Sequence, residues 1–282
     1  MLEYFPENVS SIGIEHDALF AIIYYLCVGI FFLVNITLVY FLIKYRRRRG
    51  RKAYYFHGNN LVEFTWTLLP TLLFAGLGFY SDDLWTRMKY QDAVPVADVE
   101  VEVLGQQYLW HYRYPGPDGV FGRSIPSLRS SDNVFAIDPE DPAGKDDLTM
   151  SNVFYLPINK TIVVHLSSVD VLHSFFLPNF RIKQDAVPGL KIDVWFDCFK
   201  AGDYELACAE LCGSGHYSMR GELRMLSEEA YNEWLQGKYN AILAGMEQAD
   251  EPAGDDAMMS ADEDMSDGTE VVEEPAQEAQ GH

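Results

Sequence analysis

The chain has 282 residues and a formal net charge of −21. Its length holds one or two domains and leaves no room for a further large catalytic domain. The charge is uneven: residues 248–282 carry 12 acidic side chains and no Lys or Arg, so the rest stands at about −9, and this Pro- and Gly-interrupted tail cannot bury a core and reads as disordered, either solvating the protein or docking a partner.

Residues 1–17 precede the first apolar run. From Ala18 to Ile43 there are 26 residues without a formal charge, about 39 Å of helix, enough to span a bilayer. The run is too long for a signal-peptide core and lacks both a basic leader and a small-residue cleavage site, so it is expected to be retained. A second span is expected over residues 61–82, around the apolar run Phe64 to Tyr80. It contains Pro70, which membrane helices tolerate. The loop between them, residues 44–60, holds Lys44, Arg46, Arg47, Arg48, Arg49, Arg51 and Lys52. A basic block hard against a membrane span sets orientation and contacts anionic lipid; it is not expected to bind nucleic acid. The positive-inside rule puts it in the cytoplasm. Everything beyond Tyr80 then faces outward.

From about residue 95 the periodicity changes. Val99 to Val103, V-E-V-E-V, alternates as a half-buried strand should. Further short strands are expected at Thr161 to Leu166, Leu190 to Phe196, Asp203 to Ala207 and Glu222 to Leu226, separated by turn signals such as Pro188-Gly189 and Ala201-Gly202. This spacing predicts an all-β Greek-key sandwich or barrel over 95–227. Residues 115–150, rich in Pro, Gly, Asp and Ser, form an irregular excursion with no assignable chemistry. Ser227 ahead of Glu228 and Glu229 predicts an N-cap and a helix within 228–247.

The chemistry concentrates between Cys208 and Met219, C-A-E-L-C-G-S-G-H-Y-S-M. Thiolate and thioether are soft ligands and imidazole suits copper, so the set favours electron-transfer copper. His173, in V-L-H-S-F-F, supplies a second imidazole. A mononuclear blue-copper site needs one Cys, two His and one Met, which leaves one thiolate over. Its simplest use is a second copper, with His173 and His216 capping opposite ends and Met219 and the Glu210 carbonyl as weak outer ligands. A Cys208–Cys212 disulfide and a structural Cys2His2 zinc site stay open, although structural zinc has no use for the Met219 thioether. Cys27 and Cys198 read as small buried hydrophobes. Trp110, Phe175, Phe176 and Tyr217 are expected to shield the metal from water.

The copper loop, D-V-L-H-S upstream, the helical hairpin, V-E-F-T-W-T-L-L-P at Val62 to Pro70 and the aromatic segment Gly105 to Tyr114 together resemble subunit II of haem-copper cytochrome c oxidase, over about residues 15 to 245. The resemblance implies a transmembrane helical hairpin plus an all-β cupredoxin-like Greek-key barrel, and a binuclear copper A centre held by His173, Cys208, Glu210 (through its carbonyl), Cys212, His216 and Met219. It implies that the Glu210 carboxylate shares a magnesium ion with subunit I, that Glu63 lies at a proton-uptake route, and that Tyr108 and Asp170 meet the electron donor. The expected protein is a multi-pass subunit of a bacterial plasma membrane oxidase, its copper domain periplasmic. It would work with subunit I, which carries haem and copper B, and with subunit III. It would take electrons from cytochrome c or another periplasmic donor for the reduction of dioxygen to water coupled to proton pumping. Two positions depart from the family. Tyr108 stands where a Trp usually receives the electron, and Arg113 where an acidic docking residue is common. No C-x-x-C-H occurs, so no fused c-type haem is expected.

Overall fold

The computed structural model describes residues 5–52, 54–90 and 94–250. Beyond Asp250, the acidic tail lies outside the described residues. Helix α1 runs Ser11–Lys44, its N-cap Ser10 accepting from the Gly13 amide. Helix α2 runs Asn60–Lys89, and Asn59 caps it by accepting from the Leu61 and Val62 amides, with Glu63 in the first turn. A carboxylate there is favoured by the positive end of the helix dipole. Both helices are long and apolar enough to cross a membrane, and no other described residue covers their most apolar stretches. Helices that are apolar all round and bare of protein have lipid as their solvent. Cys27, expected to be buried, is exposed on α1, because no other described residue packs over that stretch of the helix. Arg87 joins the two helices by a bidentate pair to Glu15, at 2.9 and 2.5 Å.

The remainder is two five-stranded sheets enclosing one core, a sandwich of half-barrel form. The strands are β1 Val99–Gln106, β2 Leu109–Tyr114, β3 Leu148–Ser151, β4 Val153–Pro157, β5 Ile162–Ser168, β6 His173–Leu177, β7 Ile182–Ala186, β8 Ile192–Phe196, β9 Gly202–Cys208 and β10 Arg220–Leu226. One sheet is ordered β3-β2-β1-β5-β8, the other β4-β10-β9-β6-β7. Two pairings, β1 with β5 and β4 with β10, are parallel. Trp110, Tyr112, Phe154, Phe175, Phe180 and Phe196 are buried between the sheets. Tyr112 stacks on Phe154 at 4.5 Å. Each buried Phe ring contributes about 1.5–3 kcal/mol by leaving water.

Three attachments position this domain. Val9 is buried against it, donating to the Asn179 carbonyl and accepting from the Phe199 amide, both at 3.0 Å. Asp17 on α1 accepts from Arg181 Nε and Nη2 at 2.8 and 3.0 Å. Helix α3, Glu228–Asp250, starts where Ser227 Oγ accepts from the Ala230 amide. Its Trp234 stacks on Tyr155 at 4.4 Å, and Tyr239 donates to the Pro115 carbonyl.

The excursion between β2 and β3 is not loose. Arg113, fully buried, donates to Glu102 Oε2 (2.9 Å), Ser124 Oγ (3.1 Å), the Gly122 carbonyl (2.6 Å) and Asp147. A side chain so enclosed cannot meet a docking partner, so its departure from the family's acidic residue is a matter of loop anchoring.

Candidate metal centre

Strands β6 and β9 pair antiparallel with Phe175 opposite Cys208. This sets His173, the first residue of β6, beside Cys208, the last of β9. The loop that follows is drawn closed by the Cys208 amide donating to the Met219 carbonyl (3.1 Å) and the Ala209 amide to the Ser174 carbonyl (3.0 Å). Gly213 sits at φ +136°, where a side chain is strained, and an added Cβ would stand 2.6 Å from Tyr108 Oη.

The loop brings the expected donors together. Cys208 Sγ and Cys212 Sγ stand 3.8 Å apart and unbonded. Each sulfur has its own imidazole: His173 Nδ1 is 3.9 Å from Cys208 Sγ, and His216 Nδ1 is 3.6 Å from Cys212 Sγ. Met219 Sδ lies 3.8 Å from Cys212 Sγ, and the Glu210 carbonyl 3.2 Å from Cys208 Sγ. Two sulfurs bound to one ion at about 2.3 Å and a tetrahedral angle stand about 3.8 Å apart, so the spacing suits a shared metal. His173, Cys208, Cys212 and Met219 are buried. Burial, with Cys208 next to it, pushes the Cys212 thiol up to about 11. Metal loading must therefore displace a proton there.

Asp170 holds His173 from behind. Its Oδ1 accepts from His173 Nε2 at 2.9 Å and from the Val171 amide at 2.7 Å, and its Oδ2 from the Gln107 amide at 2.9 Å. Burial opposes its charge, but the bonds from Gln107, His173 and Val171 outweigh it and keep the carboxyl below its usual range. With Nε2 protonated toward Asp170, the Nδ1 lone pair is turned to the sulfurs.

Around the donors, Trp110 packs edge-on against both His173 (6.0 Å) and Phe175 (5.8 Å). These two rings shield the site as expected. The other two do not: Tyr217 is 81 % exposed, and Phe176 lines a cavity at the membrane side of the domain. Cys198 is buried as expected, its thiol donating to the Lys200 carbonyl. Tyr108 lies against the loop, its hydroxyl 3.2 Å from Ser214 Oγ. Glu63 is remote, at the far end of α2, about 39 Å of helix from Lys89. Two contributors carry no sequence signal of their own. Gln107 donates through Nε2 to the Cys212 carbonyl at 2.6 Å, and Gly105 leaves room for His173, whose Cδ2 would be 2.9 Å from any Cβ there.

An apolar hairpin carrying a β-sandwich, with two thiols, two imidazoles and a thioether gathered at one sheet end, defines a membrane-anchored copper protein of cupredoxin type. Residues 99–224 match the family described as cytochrome c oxidase subunit II, periplasmic domain, and residues 2–84 its transmembrane domain. The chain belongs to the cytochrome c oxidase subunit II family. It is 36 % identical to the alternative cytochrome c oxidase subunit 2 of Bradyrhizobium diazoefficiens, over 77 % of this chain and 78 % of that one. It is 30 % identical to cytochrome c oxidase subunit 2 of Cereibacter sphaeroides, over 82 % and 78 %. A crystal structure of the periplasmic domain of subunit II of cytochrome oxidase from Bradyrhizobium japonicum is similar at 29 % identity, covering 53 % of this chain and 99 % of that one, with a TM-score of 0.40. The protein is thus a copper-binding, membrane-attached electron-input subunit of a haem-copper oxidase, an oxidoreductase complex, with a periplasmic domain and other oxidase subunits as partners.

Proposed function

We propose that the metal is a binuclear copper A centre held by His173, Cys208, the Glu210 carbonyl, Cys212, His216 and Met219. The observation that carries this reading is the pairing of two buried, unbonded sulfurs 3.8 Å apart with one imidazole Nδ1 near each. A single electron-transfer copper needs only one thiolate, and a closed zinc site has no need of Met219. When bound, the copper pair supplies reversible one-electron transfer.

The chain's own residues do the rest. Trp110 and Phe175 exclude water from the His173 side, Asp170 fixes that imidazole's tautomer, and Gln107 braces the Cys212 carbonyl. Tyr108, half-buried on the outer side of the loop, is the contact for cytochrome c or another periplasmic donor. Asp170 stands next to it but serves chiefly to position His173, since both its oxygens are engaged. The Glu210 carboxylate, a hard ligand on the same residue whose carbonyl faces Cys208, suits magnesium shared with subunit I.

The two helices cross the membrane twice, with the basic loop cytoplasmic, which makes the protein multi-pass. Glu63 then lies at the cytoplasmic surface, where it feeds proton uptake into subunit I for dioxygen reduction and proton pumping. Subunit III completes the assembly. Electron paramagnetic resonance of the copper-loaded complex tests the centre. One unpaired electron shared over two copper nuclei gives more than four hyperfine lines, and a simple four-line pattern refutes the pair.

A further inference from the structure

Where the outer ends of α1 and α2 meet the β-domain, a cavity of about 620 Å³ opens. Its floor is apolar and includes Phe20 of α1, Trp85 and Met88 of α2 and Phe176 of β6. Phe20 and Trp85 are themselves exposed, so the floor continues onto the lipid-facing sides of the helices. The rim is cationic on balance: Lys89, Arg181 and Lys183 stand with His16 against Asp17, and Asp185 lies close to the two lysines. In a chain of formal charge −21 this is a local reversal of sign. Arg181 is committed to Asp17, and Lys183 reaches Asp185 at 3.1 Å. Lys89 makes no ion pair among the described residues. Its Nζ donates only to Gln184 Oε1 (2.8 Å) and the Lys183 carbonyl (3.3 Å).

Three features select the occupant: an apolar floor, an edge with three cations against two carboxylates and an ammonium that no carboxylate contacts, and a mouth at the outer membrane surface. A soluble anion answers only the second and a soluble apolar ligand only the first. We propose that this cavity holds one anionic phospholipid of the outer leaflet, its phosphate taken by Lys89 and Lys183 and an acyl chain laid along Phe20, Trp85 and Met88. Trp85 suits the headgroup level, where indole rings concentrate, and basic side chains at a membrane surface attract anionic headgroups. The lipid fills the joint between hairpin and β-domain. The inference rests on both helices crossing the membrane.

The test uses the intact oxidase complex, purified from membranes after alkaline extraction, which checks membrane crossing separately. Retained phosphatidylglycerol is followed by mass spectrometry during exchange against phosphatidylcholine micelles. The comparison is wild type, K89Q/K183Q and a control, K238Q, with the copper spectrum as the check on folding. Wild type and control are expected to hold about one slowly exchanging phosphatidylglycerol more than the double variant, whose retention falls roughly 30-fold. A tail-labelled photoreactive phosphatidylglycerol on wild type should mark the Phe20 and Trp85 to Met88 peptides, and its phosphatidylcholine counterpart should not. Equal retention in the double variant, equal labelling by both lipids, displacement by inorganic phosphate, or cross-linking of those peptides to another subunit instead of to lipid overturns the proposal.

Discussion

Asp170 Oδ1 accepts from His173 Nε2 at 2.9 Å while His173 Nδ1 faces Cys208 Sγ at 3.9 Å, so one imidazole is held from behind and offered forward. Carboxylates in this position fix the ring and raise its basicity, and their loss typically costs about 10–100-fold in metal affinity. Asp170→Ala is therefore expected to fold but to lose copper to a competing chelator by a factor in that range. Asp170→Asn, which keeps an acceptor oxygen, should lose less. Copper retention equal to wild type in Asp170→Ala would show that the carboxylate does not position the ligand.

Arg113 is a different kind of buried charge. Its guanidinium satisfies Glu102, Asp147, Ser124 and the Gly122 carbonyl together. Removing it leaves Asp147, whose side chain is fully enclosed, without its cation. Arg113→Met is expected to destabilise the domain by about 3–5 kcal/mol and to open the segment between β2 and β3 to protease. Arg113→Met combined with Asp147→Leu should recover part of that loss. Thermal unfolding and the cleavage pattern measure both. A shifted donor-reduction rate with unchanged stability would return Arg113 to the docking surface.

The two cases mark how far the chain could be read unfolded. The cluster of soft donors was legible because such side chains in a short loop have few other uses, and β1, β5, β8, β9 and β10 because alternation and turn residues delimit them. β6 was not, although it carries His173, because H-S-F-F-L is buried on both faces and its polar residues come together at one end rather than alternating. β3 and β4 adjoin the turn-rich excursion, which disguised them. Arg113 read only as a departure at a docking position because its four partners come from separated positions, and no local pattern announces a buried network. The roles of Gln107 and Gly105 likewise arise only when β1 is folded against the copper loop.

Tyr108 offers a test of donor contact that leaves every metal ligand in place. A Cβ on Gly215 would stand 2.5 Å from Tyr108 Cδ2 and 2.6 Å from Cγ, so Gly215→Ala must push the ring off the loop. A displacement of about 1 Å can cost up to roughly 10²-fold in rate where contact geometry matters. Stopped-flow reduction of the centre is expected to slow in Gly215→Ala and in Tyr108→Ala, while Tyr108→Phe, which keeps the ring and loses only the bond to Ser214, stays close to wild type. Unimpaired reduction in both of the first two variants would move the donor's contact elsewhere.

Glu63 separates two explanations by where its loss is felt. In the first turn of α2, next to the Asn59 cap, its charge favours the helix by about 0.3–1 kcal/mol, and a purely local role would end there. A proton-uptake role predicts more from Glu63→Gln. Reduction of copper by the donor should proceed at the wild-type rate, because the β-domain is untouched. Steady-state dioxygen reduction and the proton uptake that accompanies it should both slow, with Glu63→Asp restoring part of the rate. Turnover and proton uptake equal to wild type, alongside a small fall in unfolding temperature, would leave Glu63 as a helix-capping charge and put proton uptake on another chain.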